Sequence, residues 1–315
     1  MRRLISSEFL RARSRRVVPM MVVGALAGVL IGVTIGTIVA EGKDSTAVRR
    51  GQRMYELGVR RCLDGNYGPV PDAYASLEEF CTEAVRPESF GPDSLDFFDL
   101  DALLEGTASL VIMLGAFLGA TLGGADWSAG TMGTLLTWEP RRLRILAARA
   151  VVVSIVVFAI AVGAQIWLSA VFAGGVAVKG SFVGTPDGFM GDVAISIVRV
   201  ASASALFSLI GLAFATIGRS TVSGISAFLG YLIIVELFIA NLVFVTARFT
   251  FGRAAVAMTS GEALLLVNPR PPRVDPAPDQ LEFLLQPGRA WLTVIGWVVV
   301  MLLVASASFR GRDVT

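Results

Sequence analysis

Six stretches of about twenty or more predominantly apolar residues dominate the chain, at 17–40, 103–124, 150–173, 194–217, 223–246 and 290–309. A helix needs about 20 residues to cross the hydrocarbon core of a bilayer. Inside lipid, every backbone polar group must find its hydrogen bond within the protein, which leaves helices and closed barrels as the spanning structures. Runs of this length and continuity predict an all-α integral membrane protein with six transmembrane helices. Composition agrees: 54% of the 315 residues are hydrophobic, 17% are charged, and the mean hydropathy is +0.70. The charged lead before the first run and the run itself are both too long for a cleaved signal peptide. The first span is expected to be retained.

Composition also excludes chemistry. Histidine is absent, cysteine occurs twice, and lysine occurs only at Lys43 and Lys179. No imidazole relay, His-based metal site or Ser-His-Asp triad can be built, and no metal site is expected from two cysteines alone. A nucleotide-binding Walker A loop needs Gly-Lys followed by Ser or Thr. Here Lys43 precedes Asp44 and Lys179 precedes Gly180. Nothing in the sequence suggests nucleic-acid binding.

Six spans place both termini on one side. The lead segment MRRLISSEFLRARSRR holds six Arg against one Glu beside the first span, and basic flanks of short loops mark the cytoplasmic face. The assignment puts 1–16, 125–149, 218–222 and 310–315 inside, with a combined charge of +9, and 41–102, 174–193 and 247–289 outside, the first of these at −6. A plasma-membrane, multi-pass protein with both termini cytoplasmic is the expectation. The 41–102 segment, with the turn-rich pieces GNYGPVPDAY and RPESFGPDS, is expected to form a small extracytoplasmic domain. Cys62 and Cys81 fall on the oxidising side, where a disulfide is the favoured state. The outer segment 247–289 divides into the apolar TFGRAAVAMTSGEALLLV and the Pro-rich NPRPPRVDPAPDQ. Two readings stay open for it, a short re-entrant helix or a surface helix followed by a linker.

Within the spans, Gly24, Gly28, Gly32 and Gly36 line one helix face, as do Gly115, Gly119 and Gly123. Small residues at this spacing allow close backbone approach between helices, either between spans one and two or across a subunit boundary. Arg199 and Glu236 lie inside spans, where each costs about 2.5 to 3.5 kcal/mol on insertion scales. They are expected either to pair or jointly line a polar cavity, or else to go separate ways, with Arg199 reaching the outer headgroups near Asp192. Gln165 is a further polar lining candidate.

The stretch GGADWSAGTMGTLLTWEPRRLRILAARAVVV, between the second and third runs, carries most of the functional signal. Asp126 is placed to cap a short helix, Trp127 to anchor at the interface, and Leu135 and Leu136 to give an apolar face. Pro140 ends the helix, and Arg141, Arg142 and Arg144 follow at headgroup level. The pattern Asp126, Trp127, Gly130, Thr131, Leu135, Leu136, Pro140, Arg141 and Arg142 resembles that of the permease subunits of type-2 ATP-binding-cassette exporters, which usually carry Glu at the acidic position. The lead segment 1–16 is similar to the interfacial elbow helix that opens such permeases.

The resemblance implies a cytoplasmic coupling helix at 126–137, gripped by one of two copies of a separate ABC ATPase subunit that holds ATP and Mg. It also implies a second permease copy, identical or related, and no cofactor or catalysis on this chain. The apolar wall points to an amphipathic or lipid-like cargo such as a drug, peptide or lipid. The alternatives from other classes are an ion-coupled secondary transporter or channel using Arg199, Glu236 and Asp192, and a membrane sensor or scaffold reading a ligand through 41–102.

Overall fold

The computed structural model describes residues 2–39, 45–66, 77, 81, 96–180, 182, 185, 188–267 and 282–311. Its helices are α1 (Arg2–Ser14), α2 (Val17–Val39), α3 (Ser45–Arg61), α4 (Leu100–Ser128), α5 (Met132–Trp138), α6 (Arg142–Lys179), α7 (Phe189–Gly218), α8 (Thr221–Tyr231), α9 (Phe251–Ser260) and α10 (Pro287–Gly311). Six stretches are helical, long and apolar enough to cross a membrane: Val17–Val39, Phe97–Ser128, Arg142–Lys179, Phe189–Gly218, Thr221–Ile239 and Pro287–Gly311. The chain is a helical multi-pass membrane protein. The turn-rich part of 41–102 and the Pro-rich NPRPPRVDPAPDQ lie outside the described residues.

Two compact units divide the chain. One comprises Met1–Ala27, Asp101–Leu168 and Met190–Thr315, and the other Gly28–Leu100 and Ser169–Phe189. The second unit contains the Cys62–Cys81 disulfide, with Cα atoms 5.6 Å apart. Both cysteines are buried beneath Tyr55 and Val59 of α3. In the same unit Phe97 lies 5.1 Å from Phe182 and 5.6 Å from Phe189 between ring centroids, and the Lys179 ammonium donates to the Ile38 carbonyl at 3.2 Å.

The first unit is built on a close pairing of α4 with α7. A Cβ placed on Gly115 would stand 2.7 Å from the Ser204 carbonyl oxygen, one on Gly123 would stand 2.6 Å from a Leu212 methyl, and one on Gly119 would collide with the Ser208 backbone. From α7, Gly211 answers in the same way against Ala116. Span two therefore spends its glycine face on span four. On α2, a Cβ placed on Gly24, Gly28, Gly32 or Gly36 would meet nothing within 4 Å among the described residues. Small-residue spacing reveals a face suited to close approach but not which helix fills it. Gly119→Leu should force α4 and α7 apart and cost at least about 2 kcal/mol, whereas Gly32→Leu should leave unfolding of the solubilised chain unchanged. Thermal unfolding of the two variants in detergent checks this.

The fifth span is shorter than its apolar run. After α8 the backbone widens into a π-helix over Leu232–Ile239, makes one turn at Ala240–Leu242, and tightens into a 3-10 segment at Phe244–Phe249 before α9. Phe251, the first residue of α9, stacks on Tyr231 at 3.9 Å and meets Trp297 edge-on at 5.2 Å. Tyr231 and Trp297 each lie ten residues along helices starting at Thr221 and Pro287, about 15 Å from those ends. Residues 240–250 thus turn back along the bundle, and α9 returns from the middle of its length. Packed against α10, α9 buries Phe251, Ala254, Ala255, Ala257, Met258 and Thr259. It leads into β1 (Leu264–Val267), which pairs antiparallel with β2 (Glu282–Leu285), Leu264 opposite Leu285. This hairpin departs from an all-helical expectation. Its two apolar runs are of strand length and flank the Pro-rich segment.

Candidate functional site

Two groups of polar side chains stand out in the first unit. The first lies where α4 ends and α6 begins. Helix α4 runs on through Ser128, so Asp126 and Trp127 belong to its last turn and do not open α5. The N-cap of α5 is Thr131, which makes no side-chain cap, and the turn before it uses Gly130 at φ +68°. The expected capping role of Asp126 is therefore replaced by another. Its carboxylate is buried at 7% exposure and accepts from Arg149, from Arg15 at 2.6 Å and from the Thr131 hydroxyl at 3.4 Å. Arg149, at 4% exposure, also donates to Glu8 of α1 at 3.4 Å and to the Gly123 carbonyl at 3.3 Å. Arg11 closes the group on Glu8 at 3.1 Å.

Chemically this is a buried core of Glu8, Asp126 and Arg149, flanked by the more exposed Arg15 and Arg11, that joins α1, α4 and α6. Removing one member of a buried pair strands the other's charge, at a cost of about 3–5 kcal/mol. Arg149 and Glu8 carried no functional assignment in the sequence reading. A signal was present for Arg149, a lone cation one turn inside the apolar stretch ILAARAVVV, where a charge demands a partner.

Helix α5 hangs from this corner. Met132, Leu135 and Leu136 pack against Trp127, Ile145, Leu146 and Phe309. Leu135 and Leu136 form an apolar face, as expected, and that face is turned onto this chain. Solvent meets Thr134, Thr137 and Trp138, the last 86% exposed. Trp127 lies edge-on to Phe309 at 5.7 Å, with the Arg219 guanidinium 5.2 Å above its ring. Pro140 and Arg141 are exposed, and Arg142 donates to the carbonyl of Phe309 at 2.9 Å, securing the end of α10. A cation at a helix C-terminus is favourably placed against the helix dipole.

The second group explains the intramembrane charges. Glu236, on the π-helix, accepts from the backbone N–H of Gly252, and the Tyr231 hydroxyl accepts from that of Phe251 at 3.1 Å. Two of the orphan donors of the α9 N-terminus are thereby satisfied by side chains. At the far end, α9 stops at Gly261 with φ +73°, and the Arg199 guanidinium lies against that glycine.

No ion pair joins Arg199 to Glu236 among the described residues. The reason is geometric: each charge sits at one end of the ten-residue α9, and Gly252 and Gly261 are about 14 Å apart along the axis. The acid is at the positive end of the helix and the cation at the negative end, the arrangement its dipole favours. Asp192 is exposed, and Gln165 is fully buried on α6. Gly261→Ala should be destabilising because φ is positive, while the Arg199 guanidinium, 2.5 Å from where the Cβ would stand, is the end of a flexible side chain and can give way. About 1 kcal/mol is expected, read as a fall in unfolding temperature.

No protein-family model matches the chain, and no curated protein matches it. What fold and site define together is a multi-pass helical membrane protein in which a short helix with one exposed face is docked by apolar contacts beside a buried charge network.

Proposed function

We propose that the chain is the membrane-spanning subunit of an ATP-driven exporter of the type-2 ATP-binding-cassette class. In this reading α1 is the elbow helix at the cytoplasmic surface and α5 the coupling helix. Both termini lie in the cytoplasm, and 41–102 forms a domain outside the plasma membrane. Two ATPase subunits would hold ATP and Mg and press on α5. A second permease copy, identical or related, would complete the pathway, and the open glycine face of α2 is one surface suited to close helix contact. The cargo is amphipathic or lipid-like, carried along a wall that is almost wholly apolar.

The observation that carries this reading is the buried network of Glu8, Arg149, Asp126 and Arg15. It fixes α1, the end of α4 and the start of α6 to one another. Because α5 is docked on the same corner by Leu135 and Leu136, force applied to α5 passes to two membrane helices without being absorbed in a loop. A lever of this kind needs a stiff root and an accessible tip, and Trp138, Thr134 and Thr137 provide the tip. Of the charges that an ion-driven transporter would use for coupling, Glu236 and Arg199 are instead engaged at the two ends of α9.

Replacement of the tip tests the proposal. Trp138→Ala together with Thr134→Arg should leave the unfolding temperature unchanged, since exposed substitutions stay within about 0.5 kcal/mol. It should lower ATP turnover of the co-purified ATPase at least tenfold. If the doubly substituted chain still assembles with the ATPase and supports full turnover, α5 is not the coupling element.

A further inference from the structure

Where α10 ends and α6 begins, a concavity of about 560 Å3 is lined by Pro140, Arg141, Arg142, Leu143, Arg144 and Arg310. Four guanidinium-bearing residues line it, and among the described residues no carboxylate does. Of the acidic residues at this end of the bundle, Asp126 is engaged by Arg149 and Arg15, and Glu8 by Arg149 and Arg11, while Glu139 stands next to Pro140 in the chain and does not line the concavity. Helix α6 has no acidic residue in its first turn, so its positive end adds to the same field. Like charges held this close repel unless an anion joins them.

Depth identifies the anion. The apolar part of α6 starts at Ile145 and that of α10 stops at Phe309, and both residues are buried. Arg144 and Arg310 each stand one residue beyond those limits, on helices long enough to cross a bilayer. That is the level of lipid phosphates rather than of hydrocarbon or bulk water. Arg142 is held in place by its bond to the Phe309 carbonyl, while Arg141, Arg144 and Arg310 are exposed. Guanidinium groups bind phosphate oxygens in a two-pronged geometry that an ammonium cannot reproduce.

We infer that this concavity is a binding site for the phosphate of an anionic membrane phospholipid, seated between the start of α6 and the end of α10. The inference depends on the two helices crossing a membrane, not on the exporter reading or on which face is cytoplasmic. A soluble phosphate would share the chemistry but not the position, and a lipid is also retained by its acyl chains beside α6 and α10.

The test uses the full-length chain in detergent, titrated with phosphatidylglycerol, with phosphatidylcholine of the same acyl chains, and with inorganic phosphate, and read by native mass spectrometry. Phosphatidylglycerol should bind at least tenfold more tightly than phosphatidylcholine. Arg141→Gln, Arg144→Gln and Arg310→Gln should each weaken that preference about fivefold, in line with about 1 kcal/mol per basic residue at an anionic surface. Arg141→Lys should lose less than Arg141→Gln, and Arg289→Gln, at the other end of α10, should change nothing. Equal binding of the two lipids would overturn the inference, as would an unchanged preference in all three Gln variants. Complete displacement of phosphatidylglycerol by millimolar inorganic phosphate would instead assign a soluble-anion site. Loss of ATPase co-purification in the Gln variants, with lipid preference intact, would make the surface a protein dock and equally refute a lipid site.

Discussion

Reversing both intramembrane charges at once, Arg199→Glu with Glu236→Arg, is expected to damage the protein about as much as the two single reversals combined. Were the two residues an ion pair, the double reversal would restore what either single change loses. In the structure they occupy opposite ends of α9, Glu236 on the Gly252 N–H and Arg199 against Gly261. Each single reversal puts the wrong sign at a helix terminus and removes a partner from a partly buried polar group, at about 1–3 kcal/mol. Sites some 14 Å apart with no shared partner combine additively. Unfolding temperatures of the four chains decide between the two outcomes. Recovery in the doubly reversed chain would mean that the residues meet and that α9 is not held as described. Glu236→Gln should be the mildest change at that position, because an amide oxygen can still accept from Gly252.

Arg149→Leu is expected to be the most destabilising single substitution at the end of the bundle where α4 gives way to α5 and α6. It removes the guanidinium shared by Asp126 and Glu8 and leaves two buried carboxylates with only the more exposed Arg15 and Arg11. The expected loss is about 3–5 kcal/mol. By contrast, Arg141→Leu, one turn outside the same corner and exposed, should change stability by less than about 0.5 kcal/mol. Replacing Asp126 and Arg149 together by Leu should recover part of the loss, since apolar groups of similar volume often substitute for a buried pair without penalty. Thermal unfolding reads all three. If the proposed exporter reading holds, ATP turnover of a co-purified ATPase would then separate folding from coupling: a folded double Leu chain that no longer stimulates it would place transmission in the charged network itself.

The six membrane helices were legible because length and apolarity suffice to define a span, and the break at Arg15 and Arg16 between α1 and α2 follows from the charged lead. The disulfide was legible from two cysteines in one segment. The ends of elements were less so. The apolar run 223–246 reads as one span, yet the helix widens at Leu232 and the chain turns back after Leu242. Residues on either side of that turn are equally hydrophobic, so hydropathy carries no record of the reversal. The helix common to both readings of 250–267 is found over Phe251–Ser260, while Leu264–Val267 is a strand.

Pairing across long separations was the hardest part to read. Glu8 and Arg149 are far apart in the chain, and only the folded corner brings them together. Gly115, Gly119 and Gly123 marked a contact surface without naming α7 as its occupant. Arg199 and Glu236 were visible as charges needing partners, but their partners are the backbone ends of a helix, which no side-chain pattern announces. Leu135 and Leu136 were recognised as an apolar face, and a short amphipathic segment does not reveal whether that face turns towards its own chain or another. Its exposed side, with Trp138, carries the part open to a partner.

The coupling proposal makes its sharpest statement about position 138. With Cys62 and Cys81 joined to each other, a Trp138→Cys chain offers a single free thiol on the tip of α5. The account predicts that a membrane-impermeant maleimide labels it only from the cytoplasmic side, and that a short bifunctional reagent links it to a nucleotide-hydrolysing subunit in the purified complex. Labelling of intact cells from outside, or a complex in which the thiol links to no such subunit, would contradict the account.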